Sequence, residues 1–309
     1  MSEPLPDAPL DWPVSTRTPE LRRGGLAAAL RVLLPLGPPA LVLETEGQEK
    51  DASSLVGRLA GTGCPVLAVV GALACAGASG SATLDDPGEA AGAATMQALR
   101  ASLAFLSRLR CRRLALPVGD GGVPGADGLR AVLKGSADPT AAVAEWRSLQ
   151  RVSREEAADR LIQRVDALAR SEPHVRFLLV PDGDALSLLD AEVAEWVLED
   201  LPVGNVGLVL ETGCLWLAQR FGAAGPAEWL ERLGRRVELV AFSDHDGRER
   251  ADLLPGTGLG SPGDLSDLLP RSVPWVIRGD PLAPEHFLRE SASILERALG
   301  PPPATEDVL

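Results

Sequence analysis

Positive charge is scarce in this chain. Its 309 residues include 30 Lys and Arg against 43 Asp and Glu, so the formal net charge at pH 7 is −13. A surface of this sign repels the phosphates of nucleic acids and the headgroups of anionic membranes. Neither is therefore expected as the main partner of this protein.

Long apolar runs and a leader segment are also missing. The first twenty residues contain no basic start followed by an apolar run, so no signal peptide is predicted. No uncharged apolar stretch reaches the roughly 20 residues that a membrane-spanning helix needs. The sequence therefore predicts a cytoplasmic protein that does not bind membranes.

Cysteine and histidine are too sparse to form a familiar metal or catalytic motif. The chain has three histidines, and it lacks both the G-x-S-x-G turn of serine hydrolases and the G-x-x-x-x-G-K-[ST] loop of P-loop proteins. The cysteines lack the spacing of zinc ligands and lie in apolar or strand-like surroundings, which predicts buried free thiols in a reducing compartment. They are Cys64, Cys75, Cys111 and Cys214.

What the sequence does contain is a regular alternation of short apolar runs and longer amphipathic segments. Eight runs predict strands, at 13–18, 40–45, 65–70, 113–118, 175–181, 207–212, 237–243 and 274–279. Helical patterns occur at 25–36, 53–61, 87–110, 153–171, 190–200, 226–234, 264–269 and 284–299. Apolar strands that alternate with helices are typical of a parallel sheet covered by helices. Eight such units in about 300 residues predict a single-domain α/β fold, the (β/α)8 or TIM barrel.

The competing fold is an open, doubly wound sheet. That fold would have a turn of the form G-x-G-x-x-G straight after its first strand, and no such turn occurs there. The barrel is therefore the preferred prediction.

The barrel is predicted to occupy residues 13–299. Residues 1–12 are rich in proline and predict an N-terminal arm, and residues 300–309 predict a C-terminal tail. The connection after strand four, residues 119–152, is unusually long and rich in Gly and Asp, with a possible short helix at 141–149. In a barrel such an insertion lies at the C-terminal face, either as a lid or as a surface excursion without a role. The sequence leaves both open.

Three stretches of the second half resemble one superfamily of barrels. They are SREEAADRLIQRVDALARSEPHVRFLLVPD (153–182), VGNVGLVLETGCLWL (203–217) and PAEWLERLGRRVELVAFSDHDG (226–247). In order and wording they resemble the fourth helix to the seventh strand of the xylose-isomerase-like barrels, which include sugar phosphate isomerases and epimerases and endonuclease-IV-like proteins. Together with the eight-unit alternation, the resemblance covers about residues 13–299 and implies the TIM-barrel fold.

The resemblance also implies a metal site at the carboxyl ends of the strands. Members that isomerise sugars hold a divalent cation there with Glu, Asp and His, and the cation polarises substrate oxygens while carboxylates or histidines move the proton. In this chain Glu211 is the ligand that survives in kind, with Asp182 and Asp252 as further oxygen donors. The other matching positions hold Pro117, Val180, Cys214, Leu239, Ala241, Arg250 and Arg278, although the Asp after the seventh strand is kept as Asp244.

An arginine at such a site repels a divalent cation and is itself a counterion for carboxylates. We therefore predict that the protein binds no metal and no other cofactor there. The predicted catalytic residues are Glu211, Asp182 and His245, since these side chains can exchange protons with a ligand. His245 belongs to the stretch FSDHDGRERADLLPGTG, residues 242–258, which is predicted to follow the seventh strand at the C-terminal face.

The ligand is expected to be a small sugar-like or anionic molecule. Tryptophans near the barrel mouth can stack on a sugar, and the run PGTGLGSPGD at 255–264 resembles the phosphate-gripping loops of barrels. An alternative is that the two aspartates near His245 only brace the loop while His245 is exposed. The predicted ligand contacts are Arg278, Asp244, Asp246, Trp216, Trp275, Gly256 and Gly258.

Three functions remain open from the sequence. The first is a divergent barrel that has lost most metal ligands and serves as a small-molecule-binding or accessory protein. The second is an active isomerase or epimerase of a small sugar or sugar phosphate that uses Glu211 and Asp182. The third is a structural partner whose barrel mouth is filled by side chains.

An ion pair is predicted where the resembled barrels bind their metal. Glu211 ends the sixth strand and Arg278 lies in the eighth, and alternate strands supply side chains to one layer inside such a barrel. Two strand spacings separate their backbones by about 10 Å, which a Glu and an Arg can bridge together. Because an isolated buried charge is costly, we expect the two side chains to pair, bidentately, at this end.

Overall fold

The chain closes into the barrel that the sequence predicts. The computed structural model describes residues 9–16, 25–44, 52–70, 89–133, 139–181, 186–248, 250–280 and 282–304. Eight parallel strands follow one another around a closed sheet, in which β1 pairs with both β2 and β8. The strands are β1 (Val14–Ser15), β2 (Leu41–Glu44), β3 (Val66–Val70), β4 (Arg113–Val118), β5 (Arg176–Pro181), β6 (Val206–Glu211), β7 (Val237–Phe242) and β8 (Trp275–Ile277).

Most predicted helices are present, close to their predicted ends. The helices of the described residues are α1 (Gly25–Leu33), α2 (Ala52–Thr62), α3 (Glu89–Arg108), α4 (Ala126–Leu133), α5 (Pro139–Leu149), α6 (Arg151–Ser171), α7 (Ala191–Asp200), α8 (Thr212–Gln219), α9 (Pro226–Leu233) and α10 (Glu285–Leu299). Of these, α4 and α8 were not predicted. The helix expected at 264–269 is instead a 3-10 helix at Pro262–Leu265. In the part of the chain that the structure describes, no helix combines the length and the apolar character that crossing a bilayer requires.

The alternation of side chains along the strands divides the core into two layers. The layer between sheet and helices contains the large residues, among them Trp12, Phe177, Phe242 and Trp275. The layer inside the barrel is built from Val, Leu and Ala side chains, which fill the interior as a packed core. Its members are Ala40, Val42, Leu67, Ala68, Val70, Ala115, Leu178, Val180, Val209, Leu239, Ala241 and Val276.

The insertion after β4 contains two helices, α4 and α5, where one short helix was predicted. Trp146 of α5 donates its Nε1–H to the carbonyl of Pro124 at 3.0 Å. Arg160 of α6 donates to the carbonyl of Gly121 at 3.2 Å. The insertion is therefore packed against α6, beside the carboxyl end of β4.

Two residues of the predicted N-terminal arm pack into the core. Leu10 and Trp12, which the sequence assigned to the arm, are buried in the core. The amide of Leu10 donates to the carbonyl of Leu36 at 2.8 Å, and the Trp12 ring lies 6.3 Å from the rings of Phe242 and Trp275. Proline-rich composition indicates irregular backbone but does not exclude burial, so these two residues pack into the core although they precede the first strand.

The described cysteines are free thiols. Cys111 and Cys214 are buried and Cys64 is partly buried, whereas Cys75 lies outside the described residues. Burial raises the pKa of the Cys64 thiol to about 11 and also raises the pKa of Cys111. Because the thiolate is the reactive form, a raised pKa makes these two thiols less reactive at neutral pH than an exposed thiol.

Candidate functional site

The predicted ion pair is present at the C-terminal end of the barrel. Glu211 ends β6 beside its register partner Ala241, and Arg278 follows β8 two residues after Val276. Ala241 and Val276 both face the barrel interior, so strand alternation directs Glu211 and Arg278 to the same side. Arg278 Nη1 lies 3.4 Å from Glu211 Oε2, with the two side chains 7% and 3% exposed. The contact is longer than the roughly 2.8 Å of a charge-assisted hydrogen bond.

Cys214 joins this pair, which sequence reasoning did not foresee. Its thiol donates to Glu211 Oε2 at 3.4 Å, and Arg278 Nη1 lies 3.5 Å from the sulfur. The carbonyl of Ala251 accepts a further hydrogen bond from Arg278 at 3.4 Å. The signal was the spacing of three residues between Glu211 and Cys214, which places both on one side of the turn that begins α8.

The neighbouring positions offer a cation little to bind. Val180, Leu239 and Ala241, which match metal-ligand positions of the resembled barrels, are buried apolar side chains inside the barrel. Among the side chains that the structure describes, no three His, Cys, Asp or Glu residues are grouped to hold a metal ion. Asp182 lies outside the described residues. One carboxylate in contact with a guanidinium is a poor donor set for a hard divalent cation, so the described residues do not fit one.

A polar network fixes α8 to the end of β7. Thr212 donates its hydroxyl to the carbonyl of Ser243 at 2.8 Å and accepts the Ser243 amide at 3.1 Å. The Ser243 hydroxyl accepts the Gly213 amide at 3.2 Å and donates to the carbonyl of Ala251 at 3.0 Å. Since Ala251 also accepts from Arg278, this network positions the ion pair.

The loop after β7 is organised around the carboxylate of Asp244, which is 1% exposed. Oδ2 accepts the amides of Gly256 and Gly258 at 3.1 and 2.9 Å. Oδ1 accepts the amides of Gly260 and His245 at 2.6 and 2.8 Å. The amides that were expected to grip a ligand phosphate therefore donate to a carboxylate of the chain itself. Gly256 is required for a second reason, since its φ of 86° lies in the left-handed region.

Asp246 also braces the loop, as the alternative interpretation proposed. Its Oδ1 accepts the amides of Arg248 and Arg250 at 2.8 and 3.0 Å. His245, in contrast, is buried rather than exposed. Its Nδ1 accepts the amide of Gly247 at 3.1 Å, which indicates a neutral ring with the proton on Nε2. Burial lowers the pKa of His245, and Arg220 adds to this effect, while Asp244 and Asp246 oppose it.

The two tryptophans predicted to contact ligand have different positions. Trp216 lies in α8 with its ring 6.5 Å from that of His245, and is buried at the C-terminal end. Trp275 does not reach the barrel interior. Its ring packs against Trp12 and Phe242 outside the sheet and donates Nε1–H to Pro270. The prediction for Trp275 was wrong because its neighbour Val276 occupies the inward-facing position of β8.

Comparison with known proteins supports the architecture. No family model and no curated protein matches the chain. A D-tagatose 3-epimerase-like protein superposes with a TM-score of 0.66 at 13% identity, covering 97% of this chain and 100% of that chain. The 3-keto-D-glucoside 4-epimerase of E. coli superposes with a TM-score of 0.62 at 14% identity, covering 93% of this chain and 99% of that chain. A xylose isomerase domain-containing protein of Salmonella typhimurium superposes with a TM-score of 0.59 at 12% identity, covering 92% of this chain and 97% of that chain.

The fold is the closed eight-stranded barrel that these solved structures share with the chain. At these identities the likeness concerns architecture, because one barrel supports many unrelated activities. The chemistry has to be argued from the site itself.

Proposed function

We propose that this barrel is a small-molecule-binding or accessory protein that works without a divalent cation. Its ligand is a small sugar-like or anionic molecule, bound at the C-terminal end where barrels place their sites. The similarity to sugar epimerases supports the sugar-like part of this proposal.

The observation that carries the proposal is the buried contact between Glu211 and Arg278. A guanidinium fixed at this distance from the carboxylate competes with a divalent cation for the same oxygen atoms. The neighbouring side chains of Val180, Leu239 and Ala241 are apolar and offer no oxygen, nitrogen or sulfur atom to a cation. An arrangement of this kind argues against the metal chemistry of the resembled isomerases.

Metal analysis combined with ligand binding tests the proposal. Protein purified without chelator and then dialysed should carry well under one equivalent of Mn, Mg, Co or Zn. A ligand that binds the native state raises the thermal midpoint by mass action, so a panel of small sugars, sugar acids and sugar phosphates can be screened for binding. EDTA should change neither the thermal midpoint of the protein alone nor the rise in midpoint that a ligand causes.

Glu211→Ala is the test variant, and Glu238→Ala is its matched control. Glu238 lies in β7 near the N-terminal end, where it pairs with Arg176. A stoichiometric metal that survives dialysis and is lost in Glu211→Ala but not in Glu238→Ala would overturn the proposal in favour of an isomerase. The absence of binding by every compound in the panel would favour a structural partner instead.

A further inference from the structure

The insertion after β4 ends in an exposed apolar corner. Helix α5 ends at Leu149 and α6 begins at Arg151, and we call residues 149–152 the elbow. Leu149 and Val152 are 73% and 67% exposed, more than any other large apolar side chain among the described residues. Single exposed apolar residues are normal on a protein surface. Two of them close together beside a groove are instead a mark of an interaction site.

The groove lies between the elbow, α6 and α7 and has a volume of about 730 Å³. Ser148 and Arg151 line it, so the apolar side chains of the elbow lie at its rim. Val193 and Trp196 of α7 also line it, and both are partly buried against the core. A small molecule inside the groove would leave the rim uncovered. Covering the groove and the elbow together requires a larger partner.

The arginines at the floor of the groove are held by the chain itself. Arg154 donates to Asp190 Oδ2 at 2.7 Å, and Arg147 Nη1 lies 3.7 Å from the same oxygen. Asp190 also caps α7 by accepting the amide of Val193 at 3.0 Å. The charge that a partner meets is therefore set by the side chains that face water around the groove.

Those exposed side chains are mostly carboxylates. The exposed arginine of the elbow, Arg151, pairs with Glu155 at 2.9 Å. The exposed acidic residues on this side of α6 and α7 are Glu155, Glu156, Asp159, Glu192, Glu199 and Asp200. Partners that bind such a surface bring charge of the opposite sign. The surface therefore selects a partner that is both apolar and basic.

The same sign argues against other occupants. In a symmetric dimer this surface would face its own copy, which brings carboxylates against carboxylates, and the chain as a whole carries a net charge of −13. Nucleic acids are repelled for the same reason. The ends of the chain are acidic as well, with Glu3 and Asp7 at one end and Glu306 and Asp307 at the other.

We propose that the elbow and the groove bind a basic amphipathic helix of a partner protein. The apolar side of this helix packs on Leu149, Val152 and Trp196, and its Lys and Arg side chains face the carboxylates of α6 and α7. A helix suits the site because α6 and α7 are neighbours, and the groove between two helices accepts the side-chain ridges of a third. Tryptophan is a typical anchor of such interfaces. This surface is separate from the ligand site proposed at the end of the barrel.

A designed amphipathic helix of leucine and lysine is the probe for this surface. One control peptide has the same composition in scrambled order, and a second has glutamate in place of lysine. At about 0.15 M salt, fluorescence anisotropy should show the Leu/Lys helix binding at least about tenfold more tightly than either control, or about 1.4 kcal/mol. Its affinity should fall as salt is added, because salt screens the exposed charges.

Variants of the elbow test the apolar contact. The double variant Leu149→Ser and Val152→Ser should weaken binding of the Leu/Lys helix at least about tenfold, since two apolar side chains are no longer buried by the peptide. Both positions are exposed, so the variant should fold as the wild type does. Leu259→Ser is the matched control, because Leu259 is exposed on the loop after β7. It should bind the peptide as the wild type does.

Variants of the carboxylates test the charge. Asp159→Asn combined with Glu192→Gln should weaken binding and make it less sensitive to salt. Glu231→Gln combined with Glu296→Gln removes the same charge from exposed positions of α9 and α10. This control should have a much smaller effect.

Equal affinity for the three peptides, or undiminished binding by the double variant of the elbow, overturns the proposal. An equal loss in Leu259→Ser also overturns it, since the peptide would then bind exposed apolar residues in general. Sedimentation of the protein alone separates the remaining occupant. A dimer that dissociates in the double variant of the elbow would assign this surface to a second copy of the chain instead of a basic partner.

Discussion

At each end of the barrel an arginine and a glutamate pair across an intervening strand, and the two pairs are built differently. At the N-terminal end Arg176 of β5 binds Glu238 of β7 with two contacts, one of them from Nε to Oε2 at 2.7 Å. These side chains are 39% and 18% exposed. At the C-terminal end Arg278 lies 3.4 Å from Glu211, and the side chains are 7% and 3% exposed.

The difference indicates separate roles for the two pairs. The N-terminal pair has near-ideal fork geometry but is open to water, so it contributes about 0–1 kcal/mol to stability. Gly207 makes room for it, because a Cβ there would collide with the Glu238 carboxylate. The C-terminal pair is buried and held at a longer distance, an arrangement that is costly for stability alone. Burial of this pair is therefore weak evidence that it stabilises the fold.

The sharpest test of this comparison breaks the C-terminal pair from one side. Arg278→Leu should lower the free energy of unfolding by about 3–5 kcal/mol, because Glu211 is left as a buried charge without its guanidinium. Replacing both residues with leucine should cost far less, since no charge then remains buried. Urea unfolding monitored by circular dichroism gives both values from the midpoint and the slope.

Arg176→Leu is the matched control at the N-terminal end. It should cost about 1 kcal/mol or less, because water solvates the remaining Glu238. If Arg278→Leu costs no more than Arg176→Leu, the two ends do not differ in the way their exposure indicates.

The fold could be predicted because its signal is local and repeated. Each strand is a short apolar run, and the predicted run at 237–243 matches β7 at Val237–Phe242. The ion pair was predictable too, because the positions of Glu211 and Arg278 point into the barrel in the resembled family and alternate strands supply side chains to one layer. The α8 helix was missed for the opposite reason. From Thr212 to Ala218 it is buried on every side, so its sequence shows no helical period.

The arrangement of the loop after β7 could not be predicted from spacing. Asp244 accepts amides from Gly256, Gly258 and Gly260, which follow it by 12, 14 and 16 residues. Nothing local to a glycine-rich run indicates whether its amides face a ligand or a carboxylate of the same chain. Trp275 shows the other limit, because an error of one residue in the inward position of a strand reverses the side that a residue faces.

Removing the carboxylate of Asp244 should cause the second largest decrease in the free energy of unfolding. Asp244→Ala leaves four amides without their acceptor, one of them buried and three part-buried, and should cost about 3 kcal/mol. Asp246→Ala is the matched control, since Asp246 accepts two amides at the exposed side of the same loop, and it should cost about 1 kcal/mol. Added formate should raise the thermal midpoint of Asp244→Ala but not that of the wild type, because it can occupy the vacated position. Equal costs for the two variants would show that Asp244 does not organise the loop.

The smallest expected effect is the pH dependence of the free energy of unfolding that comes from the buried His245. Burial lowers the pKa of His245 below its ordinary value of 6.5. The unfolded chain therefore binds a proton at this residue more readily than the folded chain, and stability falls as the pH drops below about 6.5. Protonation would also place a hydrogen on Nδ1, which accepts the Gly247 amide.

His245→Asn keeps an acceptor near that position but does not titrate. The stability difference between wild type and His245→Asn, measured by urea unfolding between about pH 8 and pH 5, should shift against the wild type as the pH falls. Parallel pH profiles for wild type and His245→Asn would mean that His245 titrates alike in the folded and unfolded chain.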